Sequence, residues 1–565
     1  MSALTRQSAS TLALAFLMAG VSVHALGQTV APQDLGGRER ERFAEPPVAR
    51  AKPRGQLTLM QGTAAPQGAA AITLKLRSIR ITGGRVFTSD HFADLTQPLL
   101  GRKVSLQAVY DLAQAITTRY GEAGYVLSRA IVPAQELSPE GAHLHLEVVE
   151  GYIDAVEWPE ALRQRRGLAE VERRILAQRP ANILSVEREM LLLGDLPGLK
   201  VSTTLKPSAK NPGASVLVVE ASEKGVEWSG RIDNRGTQAR GPIQAVNSLT
   251  LNNLAGLNEQ LTVSYSNAFP TRELQFGSVS YRQVLDADGL AIFASVSRSR
   301  GAPGTQSLRD LDFSSRGHYA ETGFERPLIR QRDRNLKAVL TGFVGENYNF
   351  WNLSTDGRQS DDRLRGLRVK LEGDLADTWN GVNQAYAIVS QGVRGLGASA
   401  PDNFIASRQY GRPDFTKAEL FLARSQPLMG ATSVYVAAYG QVSANALLVS
   451  EQCGFGGKNF GRAFDPSQLL GDHCFMGTAE LRHDISGLPF GLTGLQLYAF
   501  ADRGEVFRRS TLPSGTSAAR FTGSSGGVGA RLTLRENISA DIILAKALSG
   551  PRDDTRFFFG LAARY

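Results

Sequence analysis

A chain of 565 residues, 42% hydrophobic and 21% charged, is too apolar to be disordered throughout and too long for one small core. Its 58 glycines and 2 cysteines exclude a disulfide scaffold and suit a large β-structure. The net charge of +9 is spread along the chain rather than gathered into a stripe, which argues against a nucleic-acid partner.

Arg6, the apolar stretch Leu12 to Val23 and the small-x-small sequence Val23-His24-Ala25 read as a secretory signal cleaved after Ala25, with Gly27 as the alternative. A buried N-terminal helix is the competing reading, but no other segment pairs with it. Beyond this signal no run of roughly 18 apolar residues occurs, so no helix spans a membrane. An exported chain of this kind is either soluble or a β-barrel. Residues 26–72 are polar. Leu35 to Glu45 predicts a short charged helix and Pro46 to Gly68 a linker, with a disordered tail as the bland alternative.

Residues 73–152 read as a compact α+β unit. Leu74, Leu76, Ile79 and Ile81 mark a strand ending at Gly83-Gly84, and Ser105 is a candidate helix N-cap. Val109, Leu112, Ala113, Ile116 and Tyr120 follow at helical spacing as one buried stripe, with Gly121 and Gly124 expected to stop the helix. Val126 to Val132 and His143 to Val149 predict further strands. Residues 153–221 repeat the theme: a strand near Ile153, a basic helix from Pro159 to Gln178, a second helix from Leu184 to Leu193, and strands at Val201 to Leu205 and Ser215 to Val219. Two successive units of this kind predict tandem small domains.

From Lys224 the period becomes two. Val226, Trp228, Gly230 and Ile232 alternate with Glu227, Ser229, Arg231 and Asp233. Leu261, Val263 and Tyr265 alternate with Thr262, Ser264 and Ser266, and Leu290, Ile292, Ala294 and Val296 form another apolar row. The pattern continues, with no helical stretch, to a C-terminal row of Phe557, Phe559, Leu561, Ala563 and Tyr565. Apolar-out, polar-in alternation is the pattern of a transmembrane barrel. The 344 residues from 222 to 565 accommodate an even number of antiparallel strands near ~16, each of about 9–11 residues. A soluble β-solenoid or sandwich shares the alternation.

Catalytic patterns are scarce. Gly523-Ser524-Ser525-Gly526-Gly527 matches G-x-S-x-G, but no helix follows to make a nucleophile elbow. His143 and His145 share a strand face without a third ligand, which favours a solvated strand over a metal site. No P-loop or dinucleotide fingerprint occurs. No cofactor and no enzymatic activity are expected.

Several separated segments resemble the transporter partner of two-partner secretion systems, the haemolysin-secretion/activation and filamentous-haemagglutinin transporter family. Ile116-Thr117 through Tyr125-Val126-Leu127-Ser128-Arg129-Ala130 to Pro133 is similar to that family's GYxxSRAxxP stretch. Leu184, Glu187-Arg188, Leu191-Leu192, Asp195 and Pro197-Gly198 resemble its LER…LL..DLPG stretch, and Asp233-Asn234-Arg235-Gly236 its DNxG. Arg326 to Arg330 and Asn335-Leu336 resemble a barrel strand of the family. The most specific segment is Glu451 to Arg482, where Gly456-Gly457, Arg462, Phe464, Leu469, Gly471-Asp472 and Glu480-Leu481-Arg482 match. It departs from the pattern at Gly461, where Val is usual, and at Ala463, where Gly is usual. Since Ala does not reach positive φ as Gly does, the departure touches the loop's backbone shape. Val393-Arg394-Gly395-Leu396 matches a bare VRG string but lacks the flanking Gly-Gly and Gly-Asp.

The resemblance implies a signal peptide (1–25), an N-terminal helix and linker (26–72), two periplasmic POTRA domains (73–152 and 153–221) and an outer-membrane barrel (222–565). It implies that the loop carrying Arg462 folds into the lumen, where Arg462 pairs with Asp502 of the Phe500-Ala501-Asp502-Arg503-Gly504 stretch. Cys453 and Cys474 flank that loop. In an exported chain a disulfide is the expected state, with two independent thiols as the alternative. The implied function is recognition and secretion, with activation as a further expectation, of a large exoprotein bearing an N-terminal secretion domain. The implied surroundings are outer-membrane lipid and the barrel-assembly machinery, which reads a C-terminal signal at Phe557, Phe559, Leu561 and Tyr565. A passive porin or solute receptor, or an assembly factor of the same superfamily, is the alternative.

Overall fold

The computed structural model describes residues 35–43, 48–53, 64–352, 357–488, 492–510 and 519–565. The expected signal peptide lies outside them.

The first small unit has a four-stranded sheet. Thr73–Thr82 runs antiparallel to Lys103–Ser105 and parallel to Ala142–Val149, which pairs with Arg129–Ile131. The helix Leu106–Glu122 covers it. Its start is capped by Ser105, whose hydroxyl accepts the N–H of Ala108 at 3.2 Å. The stripe Val109, Leu112, Ala113, Ile116 and Tyr120 is buried against Leu74, Leu76, Leu144 and Leu146. Two details differ from the sequence reading. Gly121 sits inside the helix, and Gly124, at φ +92°, ends it. The strand expected over 126–132 shrinks to Arg129–Ile131, because residues 125–128 form a turn closed by Ser128 N–H to Tyr125 O.

The second unit has a three-stranded sheet, Tyr152–Glu157 parallel to Ala214–Glu223, which pairs with Leu199–Pro207. The helix expected over 159–178 is shorter: a single turn at Glu160–Leu162, a break at Gly167 (φ +88°), then the helix Leu168–Leu176. The next helix, Ile183–Gly194, is capped by Asn182. The two units are tied together where Ile183 donates to the Gly124 carbonyl and Leu127 packs into the second core.

From Val226 the alternation builds one closed barrel of sixteen antiparallel strands. The first strand, Val226–Asp233, pairs with the last, Thr555–Arg564. Trp228 and Tyr565 exchange backbone hydrogen bonds at 2.8 Å, and the Asn234 side chain brackets the seam by donating to Phe557 O and accepting from Phe559 N–H. Strand Arg358–Ala376 shows the two faces: Leu367, Val369 and Leu371 point outward and are exposed, while Arg368 is paired on the inside with Glu451. Phe557, Leu561 and Tyr565 likewise face outward and Phe558 inward. Lipid tolerates the first set and would penalise a charge there by about 2–4 kcal/mol. Strands reach 19 residues, longer than the span expected from bilayer thickness, and a short helix, Gln306–Asp310, interrupts the all-strand pattern. Among the described residues no helix is long and apolar enough to cross a membrane.

The second unit is fastened beneath the barrel. Arg165, buried, donates to Asn258 Oδ1 of a barrel turn at 2.9 Å, to Glu223 at 2.7 Å and to the Pro197 carbonyl at 3.1 Å. Arg330 of the barrel grips Asp195 with two hydrogen bonds of 2.6 and 2.9 Å. A bidentate, charge-assisted pair fixes orientation as well as distance.

Candidate functional site

The connection 444–472, between strands Thr432–Ser443 and His473–Ile485, folds back into the lumen. It forms a small hairpin, Cys453–Phe455 with Leu469–Gly471, whose apolar side chains join a cluster on the inner wall. Phe455 is fully buried against strand Leu492–Arg508 at a place where only glycine fits. A Cβ on Gly504 would lie 2.1 Å from the Phe455 ring. Cys453 and Cys474 are joined, closing the two limbs of the connection at its base.

Arg462 sits at the tip of the hairpin and is 3% exposed. Its Nη2 and Nε reach the two carboxylate oxygens of Asp502 at 2.7 and 3.2 Å, and its backbone N–H adds a third bond to Asp502 at 2.9 Å. Nη1 bonds to Glu480, Nη2 also to Thr478 Oγ1 at 2.7 Å, and the guanidinium lies 3.7 Å from the centre of the Phe500 ring. Glu480 is in turn shared with Arg482 and Arg531. Ser525 donates to Asp502 at 2.9 Å. Every side of this buried cation is met by a carboxylate, a hydroxyl or a π-face, so burial leaves no donor stranded.

Of the residues singled out from the sequence, the structure brings Arg462, Phe464, Gly456 and Asp502 into one inner-wall assembly with Glu480. The altered backbone is resolved simply: the positive φ falls on Gly461 (+71°), and Ala463 is absent from the left-handed region. Asp472 is elsewhere. It lies at the outer neck of the loop, where its carboxylate takes Arg408 Nη1 at 2.5 Å and the N–H groups of Leu447 and Arg509 at 2.7 Å. The G-x-S-x-G string lies within strand Ala519–Leu534 and provides Ser525 to Asp502. The bare VRG string sits in an external connection, with Arg394 on Asp414. His143 and His145 bond to Ser78 and Thr82.

Sequence reasoning missed the roles of Thr478, Glu480, Phe500 and Ser525. The signal was available: Thr478 with Glu480, and Phe500 with Asp502, fall two apart on inward faces of adjacent strands.

The lumen holds a second element. The helix Glu39–Phe43 lies inside the barrel, with Arg40 on Glu321 at 2.9 Å and Phe43 against Phe276. Arg38 is buried, and its Nη1 donates to the carbonyls of Val449 and Gln452 at 3.0 and 2.7 Å. Beyond it, a buried ion-pair group, Lys417 with Glu419 and Glu451 and Arg368 with Glu451, lines the same wall.

A closed sixteen-stranded barrel carrying small α+β units at one end and a loop bonded to its inner wall has the architecture of an outer-membrane protein of the POTRA-plus-barrel type. The chain belongs to the haemolysin secretion/activation protein ShlB/FhaC/HecB family, whose model matches residues 213–530, more than half of the chain. The ShlB-type POTRA domain matches residues 74–151. The chain is 27% identical over 465 residues to the outer membrane transporter CdiB of Dickeya dadantii, covering 80% of this chain and 79% of that one. It is 21% identical over 496 residues to the heme/hemopexin transporter protein HuxB of Haemophilus influenzae, covering 84% and 83%. In fold it resembles CdiB from Escherichia coli, with a TM-score of 0.68 at 20% identity over 89% of this chain and 92% of the other. The protein is a two-partner secretion transporter of the outer membrane, with its POTRA region in the periplasm, and acts with a secreted exoprotein.

Proposed function

We propose that this transporter takes one unfolded exoprotein by its N-terminal secretion domain, passes it through the barrel lumen and releases it to fold outside. The observation that carries this reading is the content of the lumen. The helix Glu39–Phe43 and the connection 444–472 occupy it, held to the wall by ion pairs and hydrogen bonds and, for the connection, also by the apolar cluster around Phe455 and Phe464. A passive porin has no use for two such occupants. In this reading the chain divides into a signal peptide to Ala25, an N-terminal helix and linker to 72, POTRA domains over 73–152 and 153–221 and a barrel from 222. Arg462 with Asp502 holds the loop, and the helix plugs the pore at rest. The cargo is captured by strand addition to a free sheet edge. Strand Leu199–Pro207 offers one, being paired on one side only among the described residues. The barrel-assembly machinery inserts the protein through the Phe557, Phe559, Leu561 and Tyr565 row. No nucleotide is available outside the inner membrane, so folding of the cargo beyond the pore supplies direction.

Deleting residues 73–221 tests this. Export should stop while the barrel stays inserted and resists SDS until heated, and the fragment should bind the partner's N-terminal domain. Undiminished export without it would show that residues 73–221 do not capture the cargo.

A further inference from the structure

The periplasmic units lead into the base of the first strand, so every second connection of the barrel, beginning with the one after Asp233, lies outside the cell. One of these, 393–415, joins strand Val382–Gly392 to strand Thr416–Pro427. Its centre does not stand up into solvent. The backbone N–H of Ser407 donates to Asp362 at 2.8 Å, the Ser407 hydroxyl donates to the same carboxylate, and that hydroxyl oxygen accepts the N–H of Val449 at 3.2 Å. The next residue, Arg408, donates to Asp472 at 2.5 Å and to the carbonyls of Leu447 and Arg509. Asp362 belongs to strand Arg358–Ala376 and Arg509 follows strand Leu492–Arg508, five of the barrel's sixteen inter-strand steps away. A dipeptide from one external connection therefore spans a chord of the outer mouth and ties together strands that are not neighbours.

Both carboxylates are buried, Asp362 at 2% and Asp472 at 0% exposure, and each is satisfied by donors from other segments. Separating the segments would leave a buried charge without its partners, so the contact resists partial opening. Val449 gives the arrangement a second contact. Its N–H goes to Ser407 outside, while its carbonyl takes Arg38 of the lumenal segment. Withdrawing Arg38 leaves the carbonyls of Val449 and Gln452 short of a donor and weakens the same stretch that Ser407 and Arg408 hold.

We propose that Ser407 and Arg408, closed on Asp362 and Asp472, form an extracellular latch that must open for the exported chain to leave, and that departure of the lumenal segment loosens it through Val449. This rests on the export reading above. Two measurements on the full-length transporter test it. In the first, Ser407→Cys/Val449→Cys is allowed to bridge and its export of the cognate exoprotein is compared with that of each single variant, which cannot bridge. The bridged protein should export at least about tenfold less, while remaining inserted and resistant to SDS. Equal export by the bridged and single variants overturns the latch. Absence of export by the wild-type chain overturns the export reading itself. In the second, Arg408→Gln is measured in planar bilayers. Asp472 keeps its two backbone donors, so the loop stays folded, and the open-to-closed ratio should rise about tenfold, equivalent to about 1.4 kcal/mol. An unchanged ratio overturns the proposal.

Discussion

Asp502 receives Arg462 three times, through the guanidinium Nη2 and Nε and through the backbone N–H, so the carboxylate fixes both the side chain and the tip of the loop that carries it. The consequences of removing the two partners differ. Arg462→Ala takes from Asp502 its cation, leaving the buried carboxylate the backbone N–H of residue 462 and the Ser525 hydroxyl, and takes one of three arginines from Glu480. Asp502→Ala leaves Arg462 with Glu480, Thr478 and Phe500. Breaking a buried pair costs about 3–5 kcal/mol. Arg462→Ala should therefore reduce export more than Asp502→Ala, and the double variant should be no worse than Arg462→Ala. Secretion assays with heat-modifiability as the folding control check this; fully additive losses would show that the pair does not hold the loop.

The slot for Phe455 gives a second test. Phe455→Ala empties a fully buried aromatic site and should cost about 3–5 kcal/mol of loop docking. Gly504→Ala should act from the other side, by placing a methyl group where the ring lies. Both should lower export, and Phe455→Leu should partly relieve Gly504→Ala because the ring is gone. Protease accessibility of the loop in intact cells reports the same displacement.

Period-two alternation exposed the barrel to sequence reading because a strand between lipid and water must alternate, and sixteen strands formed as expected. The helical stripe from Val109 to Tyr120 was legible for the equivalent reason. The overlong basic helix was not. Its start depends on Gly167 taking a left-handed conformation, which composition does not announce. The Arg462–Asp502 contact was reachable through the family pattern. Arg408 on Asp472 was not, since the partners lie 64 positions apart in connections whose paths no periodicity constrains. Extra strand length was hidden likewise, because bilayer thickness bounds only the part of a strand within lipid.

The bond between Cys453 and Cys474 should appear as a linked peptide pair in mass spectrometry of unreduced, proteolysed protein. Replacing both with Ser should cost about 3 kcal/mol, by restoring freedom to the unfolded segment between them. The loss should show as export that fails at a lower temperature than in the wild type, with the barrel still assembled. Alkylation of both cysteines without reduction would rule the bridge out.

Glu189 offers a pH-dependent prediction in the periplasmic region. It is 7% exposed on helix Ile183–Gly194, and its Oε2 has no hydrogen-bond partner among the described residues. Burial holds its carboxyl above the usual carboxylate range, while Arg174 and Arg188 pull in the opposite direction from 3.9 and 3.7 Å. A carboxyl whose folded pKa is raised disfavours its own charged form. The penalty is therefore absent below the unfolded value of about 4.3 and grows as pH rises through the folded value. Glu189→Gln carries no charge at any pH and escapes it. Calorimetry of the full chain should show the periplasmic transition moved up by this substitution at about pH 8, with the gain shrinking to nothing near pH 4. A gain independent of pH would place the effect in packing, and a loss at pH 8 would mean that Arg174 and Arg188 outweigh the burial.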